Sequence, residues 1–264
     1  MTPLLFILTA LCGLLIGILS GMFGVGGGIM MIPLLNLVFR LSAVASAATS
    51  LFVVAPTALS GALRHIRDKS VDYKTALLVG LAGAAAATAT SSVSDSIPSL
   101  VIIVLAACLI VYCSLSMFLS AKRLGDKSKE GASASRFNSA GARASARIIL
   151  GLFAGSMAGI VGLGGGFVIV PFAVSFFGYN FKQATAISLL SIAIIATPGI
   201  VIHAILGHVW YLYGIALMVG TIPGASIGAR LISKIPEKAA RLAFGVLLLT
   251  LGILLVANQL HATV

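Results

Sequence analysis

Gly21 to Leu35 reads GMFGVGGGIMMIPLL, and Gly159 to Ala173 reads GIVGLGGGFVIVPFA. Each carries the same glycine cluster, with a proline at one fixed distance behind it. The match is not confined to the glycines. At a constant offset of 138 residues, Gly24, Gly26, Gly27, Gly28 and Pro33 fall on Gly162, Gly164, Gly165, Gly166 and Pro171. Ser50 and Leu51 fall on Ser188 and Leu189, His65 on His203, Tyr73 on Tyr211, and Ile97-Pro98 on Ile235-Pro236. Agreement over so long a stretch marks an internal repeat, and the chain must fold as two related halves.

The medium follows from composition. Hydrophobic residues make up 59% of the 264 residues and charged residues only 9%, against roughly 25% charged in a soluble domain. A core of this size has no room for that much apolar surface, so lipid is the solvent over most of the chain. Ten apolar segments are predicted, near 3–20, 28–40, 42–63, 75–93, 98–120, 147–161, 166–178, 184–206, 211–229 and 239–257. Those starting at Gly28 and Gly166 have the length of half-helices. Residues 1–120 and 148–264 form the two halves, and the Ser-, Ala- and Lys/Arg-rich stretch 121–147 reads as a linker. The segment from Pro3 to Ser20 has no preceding basic residues and no small-residue cleavage site, so it reads as a retained span.

The formal net charge of +11 points to membrane orientation rather than nucleic acid, because the basic residues sit between apolar segments and no stacking aromatics interleave with them. Clusters at Arg64–Lys74, Lys122–Arg147 and Arg230–Arg241 hold most of them. The first lies after the third segment of the first half, and the third after the fourth segment of the second half. If basic loops are cytoplasmic, the halves have opposite orientations, as five segments per half require. The expected fold is an all-α membrane protein of two inverted-topology repeats, an architecture recurrent in secondary transporters. Linker 121–147 is then cytoplasmic and both termini lie outside.

Isolated glycines such as Gly13 and Gly17 are expected to let helices approach closely. Three consecutive glycines do more, since they weaken helix and expose amides. Such backbone persists in a membrane only where it is buried in protein or lines a cavity. A helix starts directly behind each cluster and aims its free amides back into the glycine loop, which makes an anion site. Pro33 and Pro171, about one turn in, release backbone groups nearby. Inversion brings the two loops together near the midplane. A helix terminus contributes at most ~2 kcal/mol toward an anion, against an idealised cost of order 20 kcal/mol for drying a small ion, so further donors or water are needed. Ser50 and Ser188, with Thr49 and Thr185 nearby, are the candidates, the alternative being hydroxyls bonded to their own helices.

His65 and His203 are equivalent under the repeat and lie toward opposite faces, as gate donors or proton sites, or as interfacial residues without a transport role. All six acidic residues fall in loops, whereas cation carriers place a carboxylate mid-membrane. An anionic or neutral substrate is favoured. No P-loop lysine follows the glycines, no metal-ligand or nucleophile–base grouping stands out, and each repeat histidine lies about 22 Å along a straight helix from its serine. Neither catalytic residues nor a cofactor or metal are expected. Cys12, Cys108 and Cys113 match no metal or redox spacing.

The doubled G-x-x-G-x-G-G-G with its trailing proline, the stretch ATSLFVVAPTALSGALRHIRDKSVDYKTAL from Ala48 to Leu77, and the C-terminal stretch Gly224 to Leu255 resemble the TauE/SafE family of bacterial membrane transporters. The resemblance implies transport of small sulfur-containing anions (sulfite, sulfoacetate or other sulfonates) across the bacterial cytoplasmic membrane. It directs attention to the glycines of both loops, Thr49, Ser50 and Ser188. The second half departs by reading Ala186-Ile187-Ser188 where the first reads Ala48-Thr49-Ser50. An anion channel, or a membrane protein without a transport role, is the competing class.

Overall fold

The computed structural model describes residues 2–91, 99–124, 140–161 and 164–263, and among them the only regular structure is helix. Ten helices follow the ten predicted segments: α1 Pro3–Phe23, α2 Gly28–Leu37, α3 Ala43–Arg67, α4 Tyr73–Ser91, α5 Ser99–Arg123, α6 Ala140–Val161, α7 Gly166–Phe177, α8 Phe181–Ile205, α9 Tyr211–Ile232 and α10 Glu237–Thr263. Helices α1, α3, α8 and α9 are each long and apolar enough to cross a membrane. Their outward faces carry large apolar side chains, with Leu4 68% and Leu15 64% exposed on α1, as a lipid-facing surface requires. Helix extends further than hydropathy alone indicates. Helix α5 runs on through Arg123 and α6 begins at Ala140, so both ends of stretch 121–147 are helical. Residues 125–139 lie outside the described ones.

The helices pair through small residues. On α1, a Cβ at Gly13 would stand 2.6 Å from the Leu217 carbonyl oxygen, and side chains at Gly17 and Gly21 would collide with the backbone of Thr221 and Ala225 on α9. The contacts advance together along both chains, so α1 and α9 run parallel. Gly151, Gly155 and Gly159 on α6 meet the backbone of Val79, Gly83 and Ala87 on α4 in the same way. Every member of the second set lies 138 residues from a member of the first. Gly13 and Gly17 are thus packing glycines.

Helices α3 and α8 cross the centre antiparallel. Lys182, at the start of α8, pairs with Asp68 at the end of α3 at 3.5 Å. Near the other end, the Trp210 amide beyond α8 donates to Thr49 Oγ1 at 3.0 Å. Helices α5 and α10 are also antiparallel, with Ser114 donating to the Gly245 carbonyl at 2.8 Å and Ile110 lying against Gly252.

Backbone conformation repeats even where side chains do not. Arg40 and Lys69 have φ of 53° and 52°, and their equivalents Gly178 and Gly207 have 72° and 71°. The N-caps correspond as well. Ser42 accepts from the Ala45 amide at the start of α3, and Asn180 accepts from the Gln183 amide at the start of α8, each capping an otherwise free donor. Around the α8 start, Phe23, Phe181 and Phe244 form an aromatic cluster with centroids 5.6–6.4 Å apart.

The same end of the bundle gathers the charge. Asp68 pairs with Arg64 and Lys182, Asp72 with Arg147, and Glu237 with Arg241. Burial pushes the Asp72 carboxyl up. Hydrogen bonds from Tyr179 and Thr75 and the charge of Arg147 outweigh it and hold the group below the usual carboxylate range. Burial, with the bond to Asp72, raises the Tyr179 phenol. At the opposite end of α3 and α8 stand Trp210, Tyr213 and Phe39, linked by ring contacts, and Tyr211 against Phe52.

Candidate functional site

Gly24 ends α1 in the left-handed region, with φ 72° and its amide on the Ser20 carbonyl at 2.8 Å. Gly26 and Gly27 follow at φ 78° and 84°, a conformation L side chains avoid. Gly27 caps α2 without a side chain, and its carbonyl accepts from the Met30 and Met31 amides, both at 3.0 Å. The second loop matches. Gly164 and Gly165 have φ 77° and 70°, and the Gly165 carbonyl accepts from Val168 and Ile169. Gly162 lies outside the described residues. In both loops the first amides of the helix, Gly28 and Ile29 or Gly166 and Phe167, precede the first bonded ones and point into the loop.

The loops meet. A Cβ at Gly166 would sit 2.6 Å from the Gly24 carbonyl oxygen and 3.0 Å from Val25 Cα. Gly26 and Gly164 both lie over Val54 and Ile192, which are equivalent residues on α3 and α8. Ser50 and Ser188 stand one turn before that pair on the same helix faces. The Ser188 hydroxyl donates to the Gly24 carbonyl at 2.6 Å and lies 3.5 Å from that of Gly166. Pro33 and Pro171 sit inside α2 and α7 and leave the Ile29 and Phe167 carbonyls without their usual helical donor.

Three hydroxyls here have no partner. Ser20, Ser50 and Thr185 are fully buried and their oxygens make no hydrogen bond. The usual recourse in an apolar helix is the carbonyl one turn back, which Thr9, Thr57, Thr197 and Thr250 all take. Two of the three flank the first loop. The Thr185 backbone is 3.0 Å from where a Gly24 Cβ would stand, and Ser20 Cβ is 3.6 Å from that of Gly27. A buried unpaired hydroxyl costs about 1–3 kcal/mol and calls for a ligand, water or function to explain it. The atoms nearest the described loop glycines come from Ser, Thr, Ile, Val, Met, Ala and backbone.

Other predicted residues lie elsewhere. Thr49 spends its hydroxyl on the Trp210 amide, because neighbours on a helix project about 100° apart. His65 is buried, 3.3 Å from the Ser70 hydroxyl, with its ring against the Gly21 backbone three residues before the first loop. His203, in the last turn of α8, sits beside His208, at 3.5 Å between Nδ1 atoms, at the far end of the central pair. Ser20 escaped the sequence reading. Its equivalent is Ala158, so a search for matched residues passes over it, although its place one turn before Gly24 was visible.

The glycine loops that organise this site fall inside one family profile, which matches residues 9–255. The chain belongs to the sulfite exporter TauE/SafE family. Similar proteins include the probable membrane transporter protein YunE of Bacillus subtilis, 30% identical over 94% of this chain and 96% of that one. Another, the probable membrane transporter protein YdhB of the same organism, is 27% identical over 84% and 89%. The probable membrane transporter protein MJ0441 of Methanocaldococcus jannaschii is 24% identical over 95% of each chain. No solved structure matches. A TauE/SafE chain of this kind is a membrane transporter, with the glycine-loop pair as its candidate site.

Proposed function

We propose that the protein is a secondary transporter that carries small sulfur-containing oxyanions, such as sulfite, sulfoacetate or other sulfonates, across the bacterial cytoplasmic membrane by alternating access. The observation that carries this reading is the meeting of two helix-opening glycine loops among fully buried, unpartnered hydroxyls at Ser20, Ser50 and Thr185. Free amides, hydroxyl donors and helix starts all favour negative charge. The family's description as sulfite exporter supports the substrate class.

The mechanism follows from the packing. The loops touch across the two halves, so a relative rocking of the halves opens one side of the contact or the other. The antiparallel α3–α8 pair, the matched parallel pairs α1–α9 and α4–α6, and the basic residues gathered at one end support two inverted halves with that end cytoplasmic. His65, against the first loop, is the candidate for a coupling proton, with His203 its counterpart near the other face. Both termini then lie outside.

Reconstituted protein should take up labelled sulfite or a sulfonate saturably and show counterflow, and Ser20→Ala or Thr185→Val should reduce the rate. Linear flux without counterflow would instead indicate a channel. Orientation is read separately by impermeant thiol labelling. Arg40→Cys and Lys69→Cys flank the 25-residue α3 and should label from the outside and the inside, respectively. Labelling from one face would remove the inverted arrangement.

A further inference from the structure

The Ser70 hydroxyl donates to the His65 carbonyl at 3.1 Å, so its oxygen is left to accept from the imidazole at Nδ1, 3.3 Å away. Nδ1 then carries the hydrogen, and Nε2 is the basic nitrogen. It is buried and bonds to nothing. We infer that the glycine-loop site has a second anion subsite at His65, which accepts oxyanions carrying a further anionic group one or two carbons away and takes up a proton together with them. This rests on the oxyanion reading above.

The ring lies against the Gly21 backbone of α1, one turn before Gly24. Lys182, which acts on the ring from α8, is one turn before Thr185, whose Cα is 3.0 Å from where a Gly24 Cβ would stand. Both helices therefore place His65 about one turn, roughly 5 Å, from the level of Gly24. The two anionic groups of sulfoacetate span such a gap. The starts of α2 and α7 together balance about one negative charge, and a second dried charge needs its own counter-charge. Arg64 and Lys182 share Asp68 at 3.4 and 3.5 Å, with side chains 30% and 33% exposed, where water screens them. Glu237, at the start of α10, is engaged by Arg241. An imidazolium at His65 supplies the missing charge, with Nδ1 donating to Ser70 and Nε2 to the second anionic group. Burial favours the uncharged form of a histidine, and a negative charge within about 4–6 Å favours the charged one. The second anionic group and the proton therefore bind together. The proton comes from water on the side of entry and leaves with the substrate on the other side. The repeat does not build this subsite again at His203, because the equivalents of Lys182, Thr185 and Ser70 are Val44, Ala47 and His208.

The test compares labelled sulfoacetate, doubly charged near neutrality, with labelled methanesulfonate, singly charged, as substrates of the reconstituted protein. Proton entry is read with a pH-sensitive dye trapped in the vesicles. Each sulfoacetate should bring about one proton more than each methanesulfonate does, and equal proton counts overturn the inference. In His65→Gln, the KM of sulfoacetate relative to that of methanesulfonate should rise roughly tenfold or more, the loss of one charge-assisted hydrogen bond. An unchanged ratio in the folded variant also overturns the inference. The proton count is taken on the parent and decides the matter even where His65→Gln does not fold. Saturable uptake of methanesulfonate with none of sulfoacetate removes the subsite and leaves the oxyanion reading in place. Absence of saturable uptake of methanesulfonate, sulfite and sulfoacetate alike is a different result, and overturns that reading itself.

Discussion

The Ser188 hydroxyl donates a 2.6 Å hydrogen bond to the carbonyl of Gly24, 164 residues away in sequence. A side chain of the second half thereby holds the glycine loop of the first, directly beside the loop of its own half. Its equivalent, Ser50, is just as buried and bonds to nothing. Matched residues in a repeat have thus taken different work, one structural and one left free.

Ser188→Ala would strand a buried carbonyl at the meeting point of the loops. The expected loss is about 1–3 kcal/mol, read as a lower unfolding temperature of the purified protein. Ser50→Ala removes a fully buried hydroxyl that bonds to nothing and should leave the protein as stable as the parent or up to about 1–3 kcal/mol more stable. Equal losses in the two variants would contradict the hydrogen-bond assignment.

Three glycine-to-alanine changes should differ in sign. Gly155→Ala drives a methyl into the backbone of Gly83 and should cost roughly 1–3 kcal/mol or more. Gly141→Ala, in helix α6 with nothing within 4 Å, should stabilise by up to about 1 kcal/mol. Gly207→Ala also enters open space, but at φ 71°, and should cost about 1–2 kcal/mol. Unfolding midpoints of the three proteins separate collision, propensity and backbone strain.

Acid should weaken the charged end through Asp72. Its carboxyl titrates below its ordinary value because Tyr179, Thr75 and Arg147 outweigh burial. A depressed folded value means that its contribution is complete above the unfolded carboxylate pKa of about 3.9 and is lost as pH falls through the folded one. Unfolding temperatures recorded from about pH 6 down to about pH 3 should fall less steeply for Asp72→Asn than for the parent. Parallel profiles would show that the Tyr179–Asp72–Arg147 cluster contributes nothing.

The repeat made much of this fold legible, because glycine is nearly obligatory where φ is positive, as it is at Gly24, Gly26 and Gly27 in the first loop and at the described Gly164 and Gly165 in the second. Legibility failed where one backbone conformation is filled by different chemistry. Arg40 and Gly178 share a left-handed turn, as do Lys69 and Gly207, and no residue comparison would pair them. The helical ends of stretch 121–147 were hidden because polar Ala- and Arg-rich sequence carries no hydropathy signal, yet Arg147 on α6 is held by Asp72 and Tyr179. Ser20 was obscured for a related reason, whereas Thr185 was visible only as a neighbour of Ser188. Their equivalents are Ala158 and Ala47, so the site is less symmetric than the glycines that frame it.

The central claim is that oxyanions bind at the glycine loops, and equilibrium binding tests it most directly. Methanesulfonate and hydrogensulfite binding to purified protein in lipid nanodiscs would be measured for the parent, Ser20→Ala, Thr185→Val and the distant Ser114→Ala. Saturable binding by the parent and by Ser114→Ala, weakened roughly tenfold in Ser20→Ala and Thr185→Val at about 1.4 kcal/mol per lost donor, is the predicted result. Binding that Ser20→Ala and Thr185→Val leave unchanged, in proteins with the parent's unfolding temperature, would place the anion elsewhere and contradict the account.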